Sequence, residues 1–127
     1  MEDRIQFITY RDQPVLLVDL SNCSSAEMIE LAHMVPAYAA EQPKESVHLL
    51  ADFSGAKFDK ASFESLKQAT VLARPYLKRS AWAGTETLPK IFYKNLKAFS
   101  QRELPTFKTR EEALEWLVAD EKMASGQ

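Results

Sequence analysis

The sequence is poor in the residues on which most site chemistry is built. Of 127 residues, one is cysteine, two are histidine and three are glycine. A lone cysteine, Cys23, excludes an intramolecular disulfide and a cysteine-rich metal knuckle. Glycines at 55, 84 and 126 are too few and too scattered for a dinucleotide-binding turn or a Walker loop, which argues against dinucleotide binding and nucleotide hydrolysis. No His/Cys/Asp/Glu cluster has ligand spacing, so neither a metal nor a cofactor is expected. Apolar runs fall far short of the ~20 residues that cross a bilayer, and the opening Met1-Glu2-Asp3-Arg4 is too polar for a signal peptide. A soluble, cytoplasmic chain is the expectation.

What is present is a composition of 46% hydrophobic and 27% charged residues, suited to one globular domain over 1–127 that buries about two thirds of its unfolded surface. Residues from about 121 read as a frayed tail. The net charge of -2 hides a division: residues 1–56 carry -6, residues 57–102 carry +7 and residues 103–127 carry -3. A basic block thus sits inside an acidic protein.

Hydrophobic periodicity orders the chain as β-β-α-β-α-β-α-β-α. Ile5–Tyr10 and Val15–Leu20 read as a hairpin turning at Asp12-Gln13-Pro14, the first strand an edge and the second interior. Ser24-x-x-Glu27 is a capping box for a helix from Ser25 to Glu41, in which Met28, Leu31, Ala32, Val35, Tyr38 and Ala39 face the core, Pro36 introduces a kink and His33 points outward. Val47–Phe53 is the third strand. A helix from Asp59 to about Tyr76 buries Phe63, Leu66, Thr70, Ala73 and Leu77. A short strand at Ser80–Ala83 follows. Thr87 then caps a helix whose Leu88, Ile91, Phe92, Asn95, Leu96 and Phe99 oppose Lys90, Lys94 and Lys97. A last strand near Leu104–Phe107 leads to the Thr109-x-x-Glu112 capping box and a helix carrying Ala113, Leu114, Trp116 and Leu117. Alternating strands and helices predict an α/β fold with a single mixed, mostly parallel sheet and about four helices.

The most informative stretch runs from Leu49 to Asp59, where an apolar strand breaks into a short loop and re-enters a helix. Asp52 ends its strand at the carboxyl edge, where open α/β sheets place their ligands, or it caps the Ser54-Gly55 turn through its own carboxylate. Together with Asp59 and Ser62, these residues form a candidate binding loop at a helix N-terminus. Nucleophilic catalysis would need Ser54, Ser62 or Cys23 beside an oriented base. His48 alternates with Val47 and Leu49 and so points to the other side of the sheet from them; an enzyme built on Asp52 and His48 is the weakest alternative. Cys23 reads as a small buried residue with no cationic neighbour in sequence.

The basic block offers a candidate docking face. Lys60, Lys67, Arg74 and Lys78 fall along one flank of the second helix, and Lys90, Lys94 and Lys97 on the outside of the third. Such a face is either ordinary solvated surface or a site for a partner with an acidic surface, including a second copy of the chain as a homodimer. Aromatics are not interleaved with these charges, which argues against nucleic acid.

Three blocks together carry a resemblance: Leu49-x-x-Asp52-x-Ser54-Gly55-x-x-Phe58, then Ala81-x-Ala83-Gly84, then Phe107-x-Thr109-x-Glu111-Glu112-Ala113-x-x-Trp116-Leu117. In order and spacing they resemble the SpoIIAA-like branch of the STAS fold, a bacterial group close to anti-sigma factor antagonists, over nearly the whole chain. The resemblance implies a non-enzymatic, protein-binding regulatory module. In the antagonists proper, a serine of an Asp-Ser-Ser-Gly loop is phosphorylated to switch partner binding off. Here the corresponding stretch is Asp59-Lys60-Ala61-Ser62-Phe63, and the motif is absent, Ser62 being the nearest hydroxyl. The branch is also likened to lipid-binding CRAL-TRIO domains. That likeness implies, as an alternative, a carrier or sensor of a small apolar ligand with Trp82, Phe92 and Tyr93 near its pocket.

Overall fold

A computed structural model of the chain describes residues 2–100 and 104–125, with side chains at 3–95, 98 and 104–119. Strands β1 (Ile5–Tyr10) and β2 (Gln13–Asp19) form the expected hairpin. Its connection is tighter than expected. Arg11 and Asp12 alone make the turn, at φ 49° and 65°, because two left-handed residues match the twist of the flanking strands. Pro14 therefore belongs to β2, opposite Thr9, outside the Leu16–Asp19 stretch that pairs with the next strand. Its missing N–H removes no bond on that side.

The chain continues through α1 (Ser25–Ala40), β3 (Val47–Asp52), α2 (Lys60–Ala73), β4 (Leu77–Ala83), α3 (Lys90–Ser100), β5 (Thr106–Phe107) and α4 (Arg110–Ser125). One five-stranded sheet results, in the order β1-β2-β3-β4-β5, antiparallel at β1–β2 and parallel from β2 onward. This is the predicted α/β class with its four helices. The capping box of α1 is complete: Ser24 Oγ accepts from Glu27 N at 3.2 Å, and Ser24 N donates to Glu27 Oε1 at 2.9 Å. Pro36 lies inside α1, which remains one helix.

Several boundaries differ, each for a local reason. Pro75 lacks the N–H that would extend α2 and disfavours helical geometry at Arg74, so the chain leaves α2 through a tight turn at Arg74–Tyr76. Leu77 and Lys78, expected on the second helix, consequently open β4. Thr87 sits in a separate turn (Thr85–Thr87), and α3 starts only after Pro89. Ile91 is 62% exposed and Asn95 is exposed, so neither joins the buried face expected of α3. The Leu96, Lys97 and Phe99 side chains lie outside the described residues. β5 is two residues long rather than four, and α4 runs to Ser125, through most of the segment expected as a tail.

All six residues of β3 are buried, as a strand covered on both faces requires. One face meets α1 and α2 through Leu16, Val18, Leu49, Ala51 and Trp82 packed on Met28, Leu31, Phe63 and Leu66. The other carries Val15, Leu17, Leu50, Ala81 and Ala83 under Ala113, Leu114 and Leu117 of α4. Trp116 is half-buried at the β5 side of that layer. Phe107 lies 6.0 Å from its ring, and the Arg79 guanidinium carbon 3.4 Å.

Among the described residues, α4 is the helix that seals the second face, and Leu117 is fully buried beneath it. Leu117→Ala should therefore cost about 2–5 kcal/mol, read as a lower urea midpoint with an unchanged slope.

Candidate functional site

β2 and β3 end in register, Asp19 opposite Asp52, and each Asp is followed by an apolar residue and a serine. The two turns are built alike. Asp19 Oδ1 accepts from Ser21 N at 3.0 Å and from Ser21 Oγ at 2.5 Å. Asp52 Oδ1 accepts from Ser54 N at 2.9 Å and from Ser54 Oγ at 2.7 Å. Short polar side chains that bond their own backbone two residues on make such turns. Backbone bonds then lace the turns together: Leu20 N to Asp52 O at 2.8 Å, Asn22 N to Ser54 O at 2.7 Å and Phe53 N to Ala83 O at 2.9 Å.

Arg110, the first residue of α4, bridges the pair. Its Nε donates to Asp52 Oδ2 at 2.6 Å, and its Nη2 lies 3.0 Å from Asp19 Oδ1. Asp52 is almost wholly buried. Burial opposes ionisation of Asp19, but the Ser21 hydroxyl and amide and Arg110 more than offset it, holding this carboxyl below the usual carboxylate range. Burial likewise opposes the Arg110 charge, and the bonds to Asp52 and Asp19 more than restore it. Thr109 Oγ1 accepts from Glu112 N at 3.2 Å, so the capping turn expected at Thr109 is the feature that aims Arg110 at the sheet.

Two glycines at this edge adopt positive φ, and one of them also lacks room for a side chain. Gly84, at φ 64°, passes so close under Ser54 that a Cβ would come within 2.8 Å of Ser54 Cα and N. Gly55, at φ 71°, faces the Asn22 side chain, which could turn aside, so there the positive φ is what favours glycine.

Of the expected binding loop, Ser54, Gly55 and Asp59 are exposed at this edge, whereas Asp52 lies beneath them. Asp59 is the α2 cap. It accepts from Ser25 Oγ at 2.6 Å and from Ser62 N at 2.9 Å, and these bonds lower its pKa. Ser62 needs correction as a loop residue. It is fully buried, accepting from Asp59 N at 3.0 Å and donating to Asp59 O at 3.1 Å. A phosphate there would have to break the first turn of α2.

The basic residues do not form one face. Lys60 and Lys90 are exposed at the starts of α2 and α3, beside the carboxyl edge, with Lys94 one turn further along. Lys67 is half-buried, 3.7 Å from Glu64 and over the Phe63 ring. Arg74 and Lys78 lie at the opposite end of the sheet. His48 is buried four residues before Asp52 on the same strand, about 13 Å away along the chain, so the two are not brought together. No group of three potential metal ligands occurs among the described residues.

The aromatic trio also separates. Trp82 lines a cavity of about 70 Å³ between the sheet and α1/α2. Tyr93 meets Trp82 edge-on at 6.3 Å and donates to Leu104 O, while Phe92 stacks on Phe63 at 4.4 Å, and neither reaches the lining. Two participants had no reading from sequence. Arg110 is one, although the repeated apolar-Asp-apolar-Ser pattern at 18–21 and 51–54 signals two like turns in want of a cation. Arg4 is the other: its Nη1 donates to Ser21 O at 2.9 Å and lies 3.2 Å from Cys23 Sγ. Burial nevertheless raises the pKa of this thiol, with Arg4 opposing.

No protein-family model matches the chain, and no curated protein does. A solved structure of an anti-sigma-factor antagonist (STAS) domain protein from Planctomyces limnophilus superposes with a TM-score of 0.55 at 16% identity, covering 90% of this chain and 97% of that one. The chain therefore has the STAS fold, as the three sequence blocks imply.

Arg110→Met would leave two carboxylates facing each other. Because Arg110 is partly exposed, we expect a loss of about 1–3 kcal/mol by urea denaturation. The pKa of the Asp19 carboxyl is depressed in the folded state, so its stabilisation is present above the unfolded pKa of about 3.9 and is lost as pH falls through the lower folded-state pKa. Asp19→Asn should accordingly be less stable than wild type at pH 7, the gap narrowing as pH falls through the depressed folded-state pKa of Asp19. Gly84→Ala should destabilise by more than about 1–2 kcal/mol, from strain at positive φ plus the Ser54 contact.

Proposed function

We propose that the chain is a non-enzymatic regulatory module that binds a protein partner at the carboxyl edge of its sheet. The observation that carries this reading is the Asp19–Arg110–Asp52 bridge, which spends its charges on holding Ser54, Gly55 and Asn22 in a fixed, outward-facing arrangement. A preorganised loop surface loses little freedom on docking. Asp52, with the Ser54 amide and hydroxyl on one oxygen and Arg110 on the other, reads as a structural acceptor that closes its own turn. The STAS fold of a protein described as an anti-sigma-factor antagonist supports the regulatory class, and with the Asp-Ser-Ser-Gly motif absent and Ser62 buried, the module works without that phosphoswitch.

Lys57, Lys60 and Lys90 are exposed around these loops, so the partner presents an acidic face. A second copy of this chain, whose first 56 residues carry -6, would also qualify. No described helix is long and apolar enough to cross a membrane, and the single buried cysteine suits a reducing compartment, so we place the module in the cytoplasm. The 70 Å³ cavity favours a second reading, in which the module senses a small apolar ligand.

Lys57, Lys60 and Lys90 reversed to Glu should abolish capture of a partner by immobilised protein, followed by binary titration of the purified partner at low and high salt. Lys78→Glu, at the far end, should leave capture intact. Equal binding by both variants in both salts would remove the carboxyl edge as the docking site.

A further inference from the structure

The outer edge of β1 is open. Among the described residues β1 pairs with β2 alone, at one margin of the sheet. The two-residue turn at Arg11 and Asp12 makes Tyr10 and Gln13 a hydrogen-bonded pair, and bonded pairs alternate from there, so Gln6, Ile8 and Tyr10 bond β2. Ile5, Phe7 and Thr9 therefore turn their N–H and C=O groups outward. Gln6 on one face of the strand is exposed, as are Phe7 and Thr9 on the other, so no described helix overhangs this edge.

Sheets guard such a margin with charge or proline. The outer edge of β4, which β5 covers only at Trp82 and Ala83, carries the exposed Lys78. β1 has no such guard. Ile5-Gln6-Phe7-Ile8-Thr9-Tyr10 holds no charge and no proline, and all but Gln6 are β-branched or aromatic. The turn end of the strand is also held in place, because the Tyr10 hydroxyl donates to Glu115 of α4 at 2.8 Å and Arg11 pairs with the same carboxylate.

A second copy of the chain fits this edge. Joined antiparallel about a two-fold axis at Phe7, two copies of β1 set Ile5 against Thr9, Phe7 against Phe7 and Thr9 against Ile5, which engages every outward group in about six N–H···O bonds. No other antiparallel two-fold register engages all three residues. The same register sets Asp3 of each copy against Arg11 of the other, opposite charges at both ends of the seam, whereas a parallel in-register pair would oppose Arg11 to Arg11. Backbone geometry and charge thus select one arrangement independently. We propose that β1 is a homodimer interface, through which two five-stranded sheets continue as one. The two-fold turns the second copy end for end, so the two carboxyl edges face opposite ways and stay clear of the seam. The interface stands without the partner reading, and only the bivalent display of that site rests on it.

The test is analytical ultracentrifugation of the purified chain from micromolar to millimolar concentration, where monomer should give way to dimer. Thr9→Pro removes an outward N–H and none that bonds β2, and the two-fold counts the loss twice, so dimer affinity should fall roughly tenfold or more. Thr9→Lys, which puts a charge in the seam and leaves the backbone donors in place, should weaken the dimer as well and serves if the proline disturbs folding. Phe7→Cys, on the axis, should form an inter-chain disulfide on oxidation, whereas Leu72→Cys on the exposed side of α2 should not, and the buried Cys23 does not compete. A chain that stays monomeric at millimolar concentration would overturn the proposal. So would a dimer of unchanged affinity in the folded Thr9 variants; its loss instead on reversing Lys57, Lys60 and Lys90 to Glu would move the seam to the carboxyl edge. Capture of a partner by Thr9→Pro is a separate readout, so either reading can fail alone.

Discussion

Two carboxylates in register at the ends of neighbouring parallel strands repel each other unless a cation lies between them, and in this chain the cation comes from the far end of the sequence. Arg110 satisfies Asp52 and Asp19 with two nitrogens of one guanidinium. A planar fork suits this geometry in a way an ammonium does not. The bridge fixes where α4 begins. With that end set, Ala113, Leu114 and Leu117 fall over Leu17, Leu50 and Ala81, and the second face of the sheet is closed. The same bridge steadies the loops that the opposite helices start from, so both layers depend on it.

The hydrophobic pattern disclosed the element order, the interior character of β2 and β3 and the buried faces of α1 and α4, because these depend on periodicity and caps that are local in sequence. Errors cluster at prolines. Pro75 and Pro89 each moved a boundary, the first converting Leu77 and Lys78 from helix to strand. Both are cases in which a missing donor outweighed an apolar spacing that fitted the helix. The site was half legible. Asp52, Ser54 and Gly55 stood out as a turn, yet their partners Arg110, Gly84 and Asn22 lie 58, 30 and 33 residues away respectively, and no periodicity reports contacts between loops. The lysines illustrate the opposite failure. Clustered in sequence, they separate in space because α2 runs the length of the sheet and leaves Lys60 and Arg74 at opposite ends.

Rigid turns and underfilled core occupy the same few residues seen from two sides. Leu20 and Phe53 belong to the Asp-x-Ser turns by backbone and to the cavity by side chain. Phe53 is further held edge-on to Trp82 at 4.7 Å and against Phe58 at 5.5 Å. Dense packing transmits displacement, and a void interrupts it. The edge of the sheet is thus stiff along the strands and compliant beneath.

The strand order carries a consequence for how the chain is made. Each strand pairs with the one that precedes it in sequence, with no strand left waiting for a later arrival to separate it from a neighbour. A nascent chain leaving the ribosome can lay down its hairpin, then add β3 and β4 with their helices as each emerges, at modest loop-closure cost. Only the second face stays bare throughout, and residue 110, which follows all five strands in sequence, arrives to find both acidic ends already side by side.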